Sequence, residues 1–272
     1  MKKVLKLSLV GLMVAALAIT AVGCGGKDQS ASTNGDAKKK VVIASDTAYA
    51  PFESQDPASG KYVGFDIDLI NAIAEIANLD IEIRSMNFDG IVPALETASV
   101  DGSISAMTIT DDRKKQVNFS VPYYLSGQSI AVRTDNKDIK TWEDLKGKKI
   151  GVQISTTGAL EARKLEAKQV VDYNTINEAF LALKTGAVDA VVNDLPVTAY
   201  FISQNRDKDV QLVGDLKTSE HYGIAFPKKN TELLDTFNKA LKTLKENGKY
   251  KEIYQKWFQK DPPDYLPGEP TS

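Results

Sequence analysis

Cysteine and histidine are nearly absent from this chain of 272 residues, which holds one of each, Cys24 and His221. A single cysteine excludes a disulfide bond within the chain. With one histidine and no cysteine after residue 24, the rest of the chain offers neither a metal-binding cluster of these residues nor a thiol nucleophile. The sequence therefore predicts no metal and no other cofactor, and His221 is expected to have a structural role.

The chain also lacks an excess of basic residues. Its 34 lysines and arginines are slightly outnumbered by 36 aspartates and glutamates, which gives a formal net charge of −2. A nucleic-acid-binding protein usually carries a basic face, so no nucleic-acid partner is expected. With 42% apolar residues, the chain is long enough for one large or two modest globular domains.

Long apolar runs are missing except at the N-terminus. Three lysines within the first six residues precede the apolar stretch 7–22, which ends shortly before Cys24. This pattern is typical of a secretory leader with a lipoprotein cleavage site, so residues 1–23 are predicted to be a signal peptide. Two or three acyl chains on Cys24 would anchor the protein to the outer face of the cell membrane, and residues 24–39 would form a flexible linker. A transmembrane anchor is the alternative, although the run is slightly short for one.

From Lys40 to Phe258, short apolar strands alternate with amphipathic helices. Such alternation predicts an α/β fold with parallel, doubly wound sheets, arranged in either one domain or two. Asp66 is expected to cap the helix that follows it. Residues 210–212 are expected to form a short strand, and the proline-rich residues 261–272 a loosely held tail.

A polar segment, 105–120, combines features of an anion-binding site. It is predicted to contain the end of a buried strand, a turn, and a helix that begins near Asp111. Arg113 then lies in the first helical turn, where the helix dipole disfavours a cation unless an anion joins it. A ligand carboxylate would be such an anion, with the hydroxyl of Thr108 beside it. Alternatively, Asp111 and Asp112 cap the helix and neutralise Arg113 as an ordinary surface cluster.

Several short runs resemble, in their order and spacing, the polar amino-acid receptors of bacterial ABC importers, most closely their glutamine-binding members. The runs are Asp46 to Tyr49, Tyr62 to Asp68, Thr108 to Arg113, Tyr222 to Pro227 and Leu244 to Phe258. The resemblance implies two doubly wound lobes joined by a two-strand hinge, as in periplasmic binding proteins. The first lobe would be discontinuous, 40–125 and 222–260, and the second would be 126–221.

The resemblance also implies a function. A monomeric, lipid-anchored receptor would capture an L-amino acid by hinge closure and deliver it to a membrane permease and its ATPase. A sensory receptor would use the same closure with another membrane partner. The family also contains cyclohexadienyl dehydratases, but Asp46 is the one candidate for the proton donor that such an enzyme needs, so no enzymatic activity is expected.

Roles for five residues follow from the resemblance alone. In that family the arginine that matches Arg113 holds the substrate's α-carboxylate, and backbone N–H groups at Thr157 reach the same carboxylate from the second lobe. The ammonium group is met by Asp194, helped by the Thr108 hydroxyl and the Ala106 carbonyl. The alternative for Asp194 is an N-cap of the helix that follows it.

The substrate's side chain is assigned in the same way. Tyr49 and Phe88 match an aromatic pair that encloses the side chain, although either could instead be a core residue. Asp46, Gln153 and Asn193 are expected at the tip. Asp46 suits a carboxamide NH₂ or a guanidinium, whereas no cation is expected at the tip to receive an acidic ligand. The sequence thus favours glutamine first and arginine or another basic amino acid second.

Overall fold

A computed structural model describes residues 38–205 and 208–270. The predicted signal peptide, the lipidation site Cys24 and nearly all of the predicted linker lie outside the described residues. Within the described part of the chain, no helix is both long enough and apolar enough to cross a membrane.

The strands of the described chain are short, and most are separated by helices. In chain order they are β1 Lys39–Ser45, β2 Ala48–Tyr49, β3 Glu53–Gln55, β4 Tyr62–Val63, β5 Leu79–Ser85, β6 Gly102–Ser103, β7 Val117–Phe119, β8 Tyr124–Arg133, β9 Lys149–Gln153, β10 Gln169–Tyr173, β11 Ala190–Asp194, β12 Val210–Tyr222 and β13 Ala225–Pro227. The strand end that was predicted within the segment 105–120 is not found there, because β6 ends at Ser103.

The helices of the described chain begin and end at residues that favour helix termini. They are α1 Phe65–Ala77, α2 Ile91–Glu96, α3 Asp111–Gln116, α4 Thr157–Arg163, α5 Ile176–Thr185, α6 Leu195–Gln204, α7 Thr231–Glu246 and α8 Lys249–Phe258. In α5, for example, Thr175 and Glu178 form a capping box, and Gly186 ends the helix in the left-handed region. Short 3₁₀ turns occur at Phe88–Gly90 and Glu143–Leu145.

Two five-stranded sheets form the two lobes, with strand orders β5-β1-β6-β13-β7 and β10-β9-β11-β8-β12. The strands β5, β1 and β6 run parallel, as do β10, β9 and β11. In contrast, β13 and β8 run antiparallel to their neighbours. The predicted two-lobed, doubly wound α/β fold is confirmed, although the sheets are mixed rather than wholly parallel.

The connection between the lobes consists of β8 and β12. Tyr124 at the start of β8 pairs with Tyr222 at the end of β12, and both rings are buried and stacked on each other. The sequence predicted a strand of three residues, 210–212, whereas β12 has 13 residues. Two register shifts interrupt the pairing of β12 with β8. The exact lobe boundaries near residues 126 and 221 stay a prediction.

Two local expectations are wrong. Asp66 does not cap α1, because Gly64 occupies the N-cap position and Asp66 lies within the helix. The segment after residue 260 is not loosely held: Leu266 is 2% exposed, and the N–H of Gly268 donates to the carbonyl of Pro122. Apolar burial and this hydrogen bond fix the segment against the first lobe.

Candidate functional site

A cavity lies between the two lobes. Its lining residues are Tyr49, Phe88, Ser105, Ala106, Thr108, Arg113, Gln153, Thr156, Thr157 and Asp194. Several of them lie at or just after the carboxyl ends of strands β6, β9 and β11. This is where open α/β sheets bind small ligands.

The structure brings the sequence-predicted residues together. Eight of the ten line the cavity, and Asp46 and Asn193 are each hydrogen-bonded to a residue that does. Asp46 accepts from Gln153, and Asn193 accepts from Tyr49. Ser105 and Thr156 also line the cavity and were not predicted.

Arg113 lies at the start of α3, as the sequence predicted. Thr110 caps this helix by accepting a hydrogen bond from the N–H of Arg113. The alternative that neighbouring aspartates neutralise Arg113 is wrong, since Asp111 pairs with Lys114 and Asp112 with Lys115. The guanidinium is therefore free to extend into the cavity.

The guanidinium of Arg113 connects the two lobes. Its Nη1 donates to the carbonyl of Thr108 at 2.8 Å, and its Nη2 donates to the carbonyl of Ser155, in the second lobe, at 2.9 Å. The ring of Phe88 lies 5.2 Å from the guanidinium carbon, within cation–π range. Burial lowers the pKa of Arg113, whereas the charge of Asp194 opposes this shift. An arginine has five N–H donors, so others remain for an anion in the cavity.

Asp194 faces the cavity and does not cap α6. It stands at the N-cap position, but its side chain makes no capping hydrogen bond. Its Oδ2 accepts from the hydroxyls of Tyr49 and Tyr222, and its Oδ1 accepts from the amide of Gln128. Burial, followed by the nearby charge of Glu220, raises the pKa of Asp194 to about 7. A cation placed beside it would favour the ionised form.

Glu220 is a site residue that the sequence reasoning missed. It is 6% exposed, and its Oε2 accepts from the hydroxyls of Thr108 at 2.9 Å and Thr157 at 2.7 Å. Each hydroxyl has one proton, so donation to Glu220 leaves both oxygens as acceptors toward the cavity. Acceptors suit an ammonium group. No local signal marks Glu220, because it lies 112 residues from Thr108 in the chain.

Asp46 is buried beside Gln153, which lines the cavity. The Gln153 amide donates to Asp46 Oδ2 at 2.5 Å and to the carbonyl of Asn174 at 3.1 Å. Burial raises the pKa of Asp46 to about 6, despite the hydrogen bond from Gln153. Within residues 38–205 and 208–270, no lysine, arginine or histidine forms a salt bridge with Asp46. A cationic group at this point would stabilise the carboxylate.

The predicted aromatic pair lines opposite parts of the site. Phe88 is half-buried, whereas Tyr49 is 6% exposed. Both contact the cavity, so neither is only a core residue. The Tyr49 hydroxyl donates to Asn193 at 2.9 Å and to Asp194 at 2.8 Å. Because both acceptors lie in the second lobe, Tyr49 also connects the lobes.

Direct contacts between the lobes show that the structure is closed. Besides Arg113 with Ser155 and Asp46 with Gln153, the amide of Asn177 donates to the carbonyl of Ala48. These bonds lie around the cavity and need both lobes in place.

Comparisons with known proteins agree with this geometry. The family model described as bacterial extracellular solute-binding proteins, family 3, matches residues 41–260. The arginine-binding extracellular protein ArtP of Bacillus subtilis is 35% identical over 251 residues, which is 91% of this chain and 96% of ArtP. The glutamine-binding protein GlnH of an ABC transporter from the same organism is 34% identical over 277 residues, 96% of this chain and 99% of GlnH. The structure of an ancestral arginine-binding protein bound to glutamine superposes with a TM-score of 0.79 at 44% identity, covering 82% of this chain and all of that one.

Proposed function

The chain belongs to the bacterial extracellular solute-binding proteins of family 3, and from this premise we propose that it is the receptor of an ABC importer for a basic amino acid, with arginine as the favoured ligand. The observation that carries this proposal is the buried Asp46, which has no cationic partner in the described chain. Relatives named for arginine binding, such as ArtP, support it.

The charges around the cavity favour a ligand with a net positive charge. Three buried carboxylates, those of Asp46, Asp194 and Glu220, each accept a hydrogen bond from a residue that lines the cavity, and one guanidinium, that of Arg113, lines it. Counted as ionised groups, they sum to −3 + 1 = −2. A basic amino acid brings two cations and one carboxylate, whereas glutamine brings one of each. Burying unpaired charges costs several kcal/mol, so the basic ligand offsets more of this cost.

We infer one orientation for the ligand. Its α-carboxylate meets Arg113 and the start of α4 at Thr157. Its ammonium group meets Asp194 and the acceptor oxygen of Thr108. Its side chain extends between Tyr49 and Phe88 and ends at Asp46.

Glutamine is the second candidate, on a specific observation. The amide of Gln153 lies at the tip beside Asp46, and a carboxamide can exchange hydrogen bonds with both residues. A structural relative has glutamine bound. The sequence alone favoured glutamine, and the order is reversed here because a carboxamide would leave the Asp46 charge unpaired.

Hinge closure follows from the way the ligand is held. Arg113 and Asp46 come from the first lobe, and Asp194 and Thr157 from the second, so only the closed form supplies all these contacts. A ligand that binds the closed form better shifts the population toward it. The anchor belongs to the same proposal: a lipid on Cys24 would keep the receptor beside its permease. Replacing Cys24 with alanine should release the protein from cells into the medium.

A calorimetric titration of the mature chain tests the proposed ligand. L-Arginine, L-lysine, L-histidine and L-glutamine are compared with L-glutamate, which matches glutamine in size but is acidic. We expect arginine to bind with a Kd near or below 1 µM, about −8 kcal/mol, and glutamate not to bind. Tighter binding of glutamine than of arginine would reverse the ligand assignment. Absence of binding by all five would overturn the amino-acid receptor.

A further inference from the structure

Two acidic residues lie side by side behind the cavity wall. Glu53 begins β3 and Asp66 lies in the first turn of α1, and both are 0% exposed. Glu53 Oε2 and Asp66 Oδ1 receive no hydrogen bond within the described chain, and the two carboxyl groups are close enough for each to affect the pKa of the other. A carboxylate can only accept hydrogen bonds. A bond between two carboxyl groups therefore requires a proton on one of them.

The other two oxygens hold the cavity wall. Glu53 Oε1 accepts from the hydroxyl of Ser105 at 2.8 Å. Asp66 Oδ2 accepts from the N–H of Ala106 at 2.9 Å and from the hydroxyl of Tyr123 at 2.8 Å. Ser105 and Ala106 both line the ligand cavity. Ala106 has a φ of +44°, a left-handed conformation that is uncommon without glycine, so this wall depends on bonds that hold it.

In the described part of the chain, the titratable groups found to act on the pair are all acids. Those that interact with one carboxyl or both are Asp46, Tyr49, Tyr123 and Tyr250. Burial raises the pKa of Glu53 well above its usual range, and it raises that of Asp66 to about 6. Two adjacent carboxylates without a cation cannot both be ionised at neutral pH.

We propose that Glu53 and Asp66 share a single proton in the folded protein, and that this acid–carboxylate pair positions the Ser105–Ala106 wall of the ligand cavity. The proton lies between Glu53 Oε2 and Asp66 Oδ1, which explains why these two oxygens have no other donor. Ser105 also connects the pair to Asp46, the residue proposed to bind the ligand's side chain, because the Ser105 hydroxyl oxygen accepts a hydrogen bond from the N–H of Asp46 at 2.9 Å. The pair is independent of which amino acid binds.

The shared proton has a consequence for stability. The unfolded chain has lost this proton above about pH 5, so folding at higher pH takes up one proton. A carboxyl whose pKa is higher in the folded protein than in the unfolded chain stabilises the folded protein fully below its unfolded pKa. This contribution to the free energy of unfolding is lost as the pH rises toward the folded pKa. An amide in place of either carboxyl needs no proton and removes this pH dependence.

Thermal unfolding of the ligand-free protein tests the shared proton. Glu53→Gln keeps an oxygen for Ser105 and donates to Asp66, and Asp66→Asn keeps an oxygen for Ala106 and donates to Glu53. Between pH 5 and 8, the Tm of each variant should rise relative to wild type by about 2–4 °C per pH unit. Asp46 and Asp194 titrate in all three proteins, so their effects cancel. A constant difference for either variant, or failure of either to fold, would refute the shared proton.

The double variant and a binding measurement complete the test. Glu53→Gln with Asp66→Asn places two amide donors against each other, so the double variant should melt at a lower temperature than either single variant. A Tm change equal to the sum of the two single changes would argue for two independent groups. For positioning, Glu53→Ala should weaken L-arginine binding at least about tenfold, and Glu53→Gln should restore it. Equal weakening by the alanine and glutamine variants would overturn the positioning role. The melting experiments use no ligand, so their outcome does not depend on whether arginine is the ligand.

Discussion

Replacing Asp46 with asparagine should make the unliganded protein more stable while it weakens arginine binding. Burial raises the pKa of Asp46 from 3.8 to about 6, and a shift of about two units corresponds to about 3 kcal/mol. Because the folded pKa is raised, this cost is absent below pH 3.8, develops as pH rises to about 6, and is constant above that. After allowing about 1 kcal/mol for a weaker hydrogen bond to Gln153, the Asp46→Asn protein should be more stable by about 2 kcal/mol at pH 7.5. Its Tm should be about 4–8 °C higher.

Ligand binding should show the opposite effect. Removing one partner of a buried charge pair costs about 2–4 kcal/mol of binding free energy. The affinity for L-arginine should therefore fall by roughly 30- to 1000-fold in Asp46→Asn. L-Glutamine pairs no charge with Asp46, and its affinity should change by less than about fivefold. The two ligands therefore serve as controls for each other.

Calorimetric titration at pH 7.5 with both ligands, and thermal melting without ligand, measure these changes. Asp89→Asn is the matched control variant, since Asp89 is exposed and acts on Asp46 only through its charge. It should change arginine affinity by less than about threefold. An equal loss of affinity for arginine and glutamine in Asp46→Asn, or an unchanged affinity for arginine, would refute the role assigned to Asp46.

Three further predictions use other parts of the structure. Arg113→Ala should abolish detectable amino-acid binding in calorimetry while the protein stays folded. The control variant Arg163→Ala, which removes a surface ion pair with Asp172, should bind normally. Wild-type affinity in Arg113→Ala would exclude the contact between Arg113 and the ligand carboxylate. Asp194, with a pKa of about 7, should release up to about half a proton when an ammonium group binds at pH 7, so the affinity for the ligand should fall as pH drops below 7. Calorimetric titrations in buffers of different ionisation enthalpy measure this proton release. If no proton is released, Asp194 is already ionised before the ligand binds. Leu266→Ala should lower the free energy of unfolding in urea by about 2–4 kcal/mol. An unchanged free energy of unfolding would mean that the segment after residue 260 is not packed against the first lobe.

Local sequence was sufficient where neighbouring residues decide the structure. The start of α3 near Asp111, with Arg113 in its first turn, was predicted because a helix start is decided by residues a few positions apart. Eight of the ten predicted site residues line one cavity. Most of that set came from the resemblance to a family, which supplies spatial information that periodicity does not contain.

Interactions between distant segments account for what the sequence did not predict. Asp66 resembles a helix cap in sequence, but its partners are Ala106 and Tyr123, 40 and 57 residues away. Glu220 belongs to the site only because β12 continues past two register shifts to reach Thr108. Neither contact leaves a pattern within a window of ten residues.

The sequence by itself determined the α/β fold, since apolar periodicity and turn residues specify helices and strands locally, and its resemblance to a family implied the two lobes. It also supplied the arginine and the aspartates that a charged ligand needs. Only the tertiary structure decided which acids are buried without a cation, because burial and pairing depend on segments far apart in the chain. We base both the proposed basic ligand and the proposed shared proton on that arrangement.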